Sequence, residues 1–241
     1  MRHTLFALLS TCLLSSCFKP AQKLIFSFNA SYDSTNTTAN VVNVNVEKTS
    51  GDDDIVNLKV DGLPDYITAD FPTSGKTPIN TSIAFRLSTL AERNVSNWKN
   101  YTVTITATSN AGITRSQDVT FFCYPNDATQ AFFGRDFFAH EQCTPSGSEL
   151  RSVSTLTPGG NRIVLMDFFT TDIFTTISLP ATVDGRKRTI TIAPFTQDGY
   201  TFRGDGTFYP TSGDSLGCTI NFSRSRLGLF DTCSTILTMG Y

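Results

Sequence analysis

Between Lys23 and Tyr124 apolar and polar residues alternate with period two, which confines this stretch to half-buried β-strands. Val42, Val44 and Val46 alternate with Asn43 and Asn45, and Val56, Leu58 and Val60 with Asn57 and Lys59. Tyr101, Val103, Ile105 and Ala107 alternate with four threonines, and Val119, Phe121 and Cys123 with Thr120 and Phe122. Such spacing puts the apolar set on one sheet face, and β-branched residues suit that pleated surface. Turn residues interrupt the pattern at Gly51 to Asp54, Gly62 to Pro64, Pro72 to Gly75 and Asn110 to Gly112. Many short strands at this interval predict a β-sandwich.

From Gln130 to Tyr241 the composition shifts towards phenylalanine and glycine. Strands are expected at Arg162 to Phe169, Ile173 to Leu179, Thr189 to Ala193, Tyr200 to Phe208, Cys218 to Phe222 and Thr232 to Leu237, with hairpin signals at Asp184-Gly185, Gly204 to Gly206 and Leu227-Gly228. The pattern reads as an antiparallel β-meander. With 241 residues, two small domains are expected.

The N-terminus has a different character. Met1, Arg2 and His3 precede an apolar run, Thr4 to Leu14, of signal-peptide length and too short to span a bilayer. It ends on Leu14-Ser15-Ser16-Cys17, which resembles the bacterial lipobox. The resemblance implies that Cys17 becomes an acylated N-terminus, and two or three acyl chains hold a protein stably at a membrane. Cys12 has a shorter apolar stretch before it, so Cys17 is the expected lipidation site. Residues 1–16 are then a signal peptide and 17–22 a lipidated tether. The expected location is the bacterial cell envelope, at the outer membrane, with the membrane as partner through the acyl chains.

The segment from Val60-Asp61-Gly62-Leu63-Pro64 through Ala69 to Gly75 and Trp98 to Thr108 resembles bacterial immunoglobulin-like repeats. Residues 23–125 are therefore expected to form an immunoglobulin-like β-sandwich, which implies a spacer or adhesion role. Residues 130–241 resemble a C-terminal module of Bacteroidota-type lipoproteins. The matching features are Phe133-Gly134, Phe137 and Cys143, then Asp167 to Phe169, Ile190 to Phe195, Gly204 to Phe208 and Asp231-Thr232-Cys233. That resemblance implies a small lipocalin-like barrel or open sheet, and the fold class as a whole is all-β.

Beyond Cys12 and Cys17 four cysteines remain, an even number in an exported chain, and disulfides are expected. The module resemblance places one cysteine in its opening strand and one in its closing strand, which implies Cys143 with Cys233. Cys123 then pairs with Cys218; Cys218 with Cys233 is the alternative.

Nineteen basic against 21 acidic residues leave no electrostatic footprint for nucleic acid. Only His3 and His140 occur, which disfavours multi-histidine metal sites and most hydrolase designs. Asp52 to Asp54 read as a solvated turn, Arg186-Lys187-Arg188 as a basic turn protecting a sheet edge, and the paired phenylalanines as strands covered on both faces. Trp98, Tyr66 and Tyr101 are weighed as a sugar platform, with Tyr101 falling on the core face. Asp167 and Asp172 are the carboxylates placed among phenylalanines. Asp33-Ser34-Thr35 and Asp214-Ser215-Leu216 resemble Bacteroidota-type O-glycosylation sites. No cofactor, metal or catalysis is expected. The expected function is that of a lipid-anchored envelope protein presenting a binding or adhesion module, for glycans or another envelope protein. The alternatives are a carrier of a small hydrophobic ligand and a purely structural role.

Overall fold

In the computed structural model, residues 21–36, 39–171, 175–212 and 214–239 are described. The signal segment with Cys12, the lipobox cysteine Cys17 and Asp172 lie outside these residues. The first eight strands are β1 (Ile25–Tyr32), β2 (Asn40–Ser50), β3 (Ile55–Asp61), β4 (Ile67–Asp70), β5 (Ser74–Lys76), β6 (Ile79–Leu87), β7 (Lys99–Ser109) and β8 (Thr114–Cys123). They form two antiparallel four-stranded sheets, ordered β1-β2-β6-β4 and β5-β3-β7-β8. The alternating residues do what their period demands. Val42, Val44, Val46, Val56, Val103, Ile105, Ala107 and Val119 are buried between the sheets, and Phe85 stacks on Phe121 with ring centroids 4.2 Å apart. The threonines of β7 face outward and meet β8 in a hydroxyl ladder, Thr102 with Thr120 at 2.8 Å and Thr106 with Ser116 at 3.0 Å.

Two side-chain amides tie the sheets together. Gln117 donates to the Ala30 carbonyl at 2.7 Å and accepts from the Ala30 amide at 2.9 Å, so it bridges β8 to the edge strand β1. Buried Asn40 donates to the Tyr124 carbonyl at 2.8 Å and accepts from the Tyr124 amide at 3.2 Å. Each amide satisfies a backbone pair that would otherwise be left open at a sheet edge.

The remaining strands are β9 (Asp136–Thr144), β10 (Gly147–Gly159), β11 (Arg162–Thr170), β12 (Thr176–Asp184), β13 (Thr189–Gln197), β14 (Tyr200–Pro210), β15 (Leu216–Arg226) and β16 (Leu229–Met239). They close into an up-and-down antiparallel barrel, with β16 pairing back onto β9. Phe168, Phe202, Phe222, Leu165, Leu179 and Ile220 are fully buried in it. Threonines and charged residues share the outer face with the exposed side chains of Phe138, Leu150, Leu156 and Ile236.

The structure corrects three expectations here. Gly204 and Gly206 form no hairpin but sit within β14. A Cβ on Gly206 would come within 2.3 Å of the Thr219 carbonyl oxygen, and one on Gly204 within 2.4 Å of that of Asn221, so both glycines permit close approach of β15. Of the paired phenylalanines, only Phe168 and Phe169 are both buried. They flank no regular alternation, because a register shift between Leu165 and Phe169 and a left-handed Asp167 (φ 55°) turn both rings inward. Phe133 and Phe138 are exposed while their neighbours Phe132 and Phe137 are buried.

The basic turn is the third correction. Arg186 donates to the Asn36 carbonyl at 2.7 Å and to the Ser34 carbonyl, with its guanidinium over Tyr124, and Arg188 donates to the Trp98 carbonyl. These cations therefore fasten the barrel to the sandwich instead of guarding a free edge. Trp98 is fully buried, its ring edge-to-face with Phe208 at 5.6 Å, and Phe208 meets Phe132 at 5.2 Å. The tryptophan is thus part of the joint between sandwich and barrel and is removed from any sugar platform.

Candidate binding site at the barrel mouth

The joint closes one end of the barrel, and the other end opens on the turns Pro145-Ser146, Asp198-Gly199 and Leu227-Gly228. Strand parity decides what fills that end. On β9, Phe137, Ala139, Glu141 and Cys143 point inward, whereas Phe138, His140 and Gln142 do not. His140 and Glu141 are consequently on opposite sides of the barrel wall, and His140 is exposed. On β15 the inward set Cys218, Ile220 and Phe222 continues to Arg224 and Arg226, and on β16 Asp231 shares the register of Cys233 and Thr235.

These inward charges form one network. Buried Glu141 accepts from Arg151, from Arg224 Nη1 at 3.2 Å and from the Thr235 hydroxyl at 3.3 Å. Arg151 also pairs with Glu149 at 3.1 Å, and Arg224 Nε donates to Asp231 at 2.8 Å. The Ser146 hydroxyl lies 2.7 Å from both Asp231 oxygens. Burial alone would raise the Asp231 pKa, but the bonds from Ser146 and Arg224 outweigh it and hold the carboxyl below its ordinary value. Each arginine also lies over a ring: Arg151 over Phe168 at 5.2 Å, Arg224 over Phe169 at 4.6 Å and Arg226 over Tyr200 at 4.6 Å. Arg226 further donates to the Tyr200 hydroxyl at 2.7 Å.

Above this floor lies a cup of about 570 Å³, walled by Tyr200, Arg226, Phe169 and Asp231 and rimmed by Leu227, Leu229 and Phe230. Phe230 is 62% exposed and Leu227 93% exposed, so the rim presents apolar surface to solvent beside paired charges. A mixture of rings, guanidinium planes and a few directed polar groups is the chemistry of a small-molecule site. In the sequence Phe169, Leu227 and Asp231 stand out only as strand or turn markers, not as members of one site. The available signal was register: an acid on the same face as Phe137 and Cys143, and two arginines on that of Phe222.

Cys143 and Cys233 face each other across the β9–β16 seam and form a disulfide. Cys123 and Cys218 do not pair. Cys123 lies at the end of β8 in the sandwich, 3.6 Å from Asn40, and Cys218 faces the barrel core, so both are buried free thiols. The alternative of Cys218 with Cys233 is also not formed. Among the described residues Glu141, Cys143 and Cys233 are the one group at metal-ligating separation, but the two sulfurs are bonded to each other and offer no thiolate.

The remaining sequence candidates are dispersed. Asp52 accepts from the Gln22 amide at 2.7 Å, Asp53 pairs with Lys48 at 2.7 Å, and Asp54 accepts from the Ala111 amide at 3.0 Å, so the three carboxylates serve three different neighbours. Asp167 is exposed at the β11 irregularity. Tyr66 and Tyr101 meet at 3.3 Å between hydroxyls, and Tyr101 lies on the inward face of β7 as its register requires.

The chain matches no protein-family model and no curated protein. Among solved structures it is similar to a Bacteroides ovatus protein of unknown function, with 10% identity, 90% of this chain and 95% of that chain covered, and a TM-score of 0.35.

Proposed function

We propose that this chain is a non-catalytic, lipid-anchored protein of the bacterial cell envelope that binds a glycan in the cup at the barrel mouth. The observation that carries the reading is the cup itself, where an exposed ring, stacked guanidinium planes and bonded carboxylates converge. Flat apolar faces bury the hydrophobic side of a pyranose, and the charged edges can bond its hydroxyls. The barrel interior favours the mouth over a carrier function, because phenylalanine and leucine side chains occupy it.

Placement supports the same reading. The end of β1 meets the barrel through Arg186, so its beginning, with Gln22 bonded to Asp52, lies at the far pole of the sandwich. A lipid on Cys17 would hold that pole at the membrane and direct the cup outward.

The test is binding of the mature chain to immobilised polysaccharides, followed by titration calorimetry on those retained. Phe230→Ala and Arg226→Ala are expected to weaken binding about tenfold or more, on the order of 1.4 kcal/mol. Retained glycan binding in both variants would remove the cup from the function.

A further inference from the structure

A second concavity, of about 440 Å³, lies where the sandwich meets the barrel, on the other side of the molecule from the mouth. Arg93, which follows the short helix Thr89–Glu92 of the sandwich, and Arg135, which leads into β9, both line it. Arg93 donates through Nη2 to the Phe133 carbonyl at 3.1 Å and lies over the Phe133 ring at 5.1 Å. Arg135 donates through Nη2 to the Arg93 carbonyl at 3.5 Å and to the Asp214 carbonyl at 3.4 Å. The Nε of each arginine is buried without a hydrogen-bond partner. Two guanidinium groups from two different modules thus line one cleft, each bonded to a carbonyl through Nη2 and each with a buried Nε left unmet.

The charge count points the same way. Among the described residues Asp214 is the one acid lining the cleft; its carboxylate is 3.6 Å from Arg135 and its side chain is 70% exposed. Two arginines against one loosely held carboxylate leave a net positive site. Tyr66, Ser88, Asn94 and Asn97 add hydroxyls and amides around it. We infer that this cleft is an oxyanion site in which the Arg93 and Arg135 forks hold a carboxylate, sulfate or phosphate group of a small polar ligand, with Asp214 as the internal competitor. Guanidinium forks match planar and tetrahedral oxyanions, and a ligand held by both would bridge sandwich and barrel. The site is independent of the cup and does not rest on the glycan reading.

The probes are sodium sulfate, sodium phosphate and sodium glucuronate, titrated into the mature chain by calorimetry at low ionic strength, with sodium chloride at matched ionic strength as reference. At least one oxyanion is expected to bind saturably where chloride does not, and the preferred probe separates a sulfate, a phosphate and a carboxylate source. Arg135→Gln and Arg93→Gln should each weaken that binding about tenfold, whereas Asp214→Asn should tighten it severalfold by removing the competitor. If a glutamine variant fails to fold, Arg93→Lys, which keeps the charge and loses the fork, is expected to bind several times more weakly than wild type. Heats indistinguishable from chloride for all three probes, or glutamine or lysine variants that titrate like wild type, would overturn the inference.

Discussion

Cys123 and Cys218 show how burial decides chemistry at a single residue. Both are thiols in a chain expected to meet an oxidising compartment, yet neither is placed to react. Burial pushes the Cys123 thiol up to about 12 and raises that of Cys218 as well, so almost no thiolate exists at neutral pH. The mature folded chain should therefore not react with a thiol probe such as DTNB. Two thiols should appear on denaturation without reductant, and four after reduction releases Cys143 and Cys233. A denatured, unreduced chain that still showed none would mean that Cys123 and Cys218 are bonded after all. The Cys143–Cys233 pair was implied by the resemblance of the opening and closing strands. The other pair follows from those two being taken, and it does not form because Cys123 ends β8 in the sandwich while Cys218 faces the barrel interior.

At the level of the strand, the inward charges of β9, β10, β15 and β16 explain why the barrel mouth can stay polar above an apolar interior. Glu141 balances both Arg151 and Arg224, Glu149 adds a second acid at Arg151, and Asp231 adds one at Arg224. Removing the central acid takes from both arginines the one fully buried carboxylate they share and leaves them only Glu149 and Asp231, so Glu141→Ala should destabilise by about 3 kcal/mol, lowering the melting temperature by roughly 6–12 °C. The combined change Glu141→Leu, Arg151→Met and Arg224→Leu should recover most of that loss, because it removes all three desolvation costs at once. A triple variant less stable than Glu141→Ala in calorimetry would show that the network holds the barrel for another reason. Asp231 adds a pH dependence whose sign follows from its lowered pKa. Its contribution is complete above the ordinary carboxylate range of about 4 and is lost as pH falls through the lower folded value.

The same strands mark how far the sequence could be read. Period-two alternation picks out β2, β3, β7 and β8 of the sandwich and most of the meander, since burying one face requires it, but β1, β4, β5 and β6 are not singled out by it. It missed β10, whose residues are largely serine, threonine and charge, with only Val153 and Thr155 buried. Gly204 and Gly206 were misread because glycine serves both turns and close backbone contacts, and only the β14–β15 pairing distinguishes them. The mouth went unseen because its members lie on four strands, and closure of the barrel brings them together.

For the whole molecule, the question is whether sandwich and barrel fold as one unit. Their buried residues form one continuous cluster, joined through Val95, Trp98, Ala128, Phe132 and Phe208. The β12–β13 turn fits closely against the connecting segment: a Cβ on Gly185 would lie 2.9 Å from the Ala128 methyl and 3.0 Å from Pro125. Arg186 and Arg188 then close the joint by donating to carbonyls at Ser34, Asn36 and Trp98, and such charge-assisted bonds contribute roughly 1.5–3 kcal/mol each when well made. Wild-type protein should accordingly unfold in a single calorimetric transition with equal van't Hoff and calorimetric enthalpies. The double variant Arg186→Ala, Arg188→Ala removes the clamp without touching either core, and the expected result is two resolved transitions or a van't Hoff enthalpy well below the calorimetric one. If the double variant instead kept one transition, shifted by less than about 2 °C, the arginines would be solvated turn residues, and cohesion between the two modules would rest on the apolar contacts around Trp98, Ala128, Phe132 and Phe208.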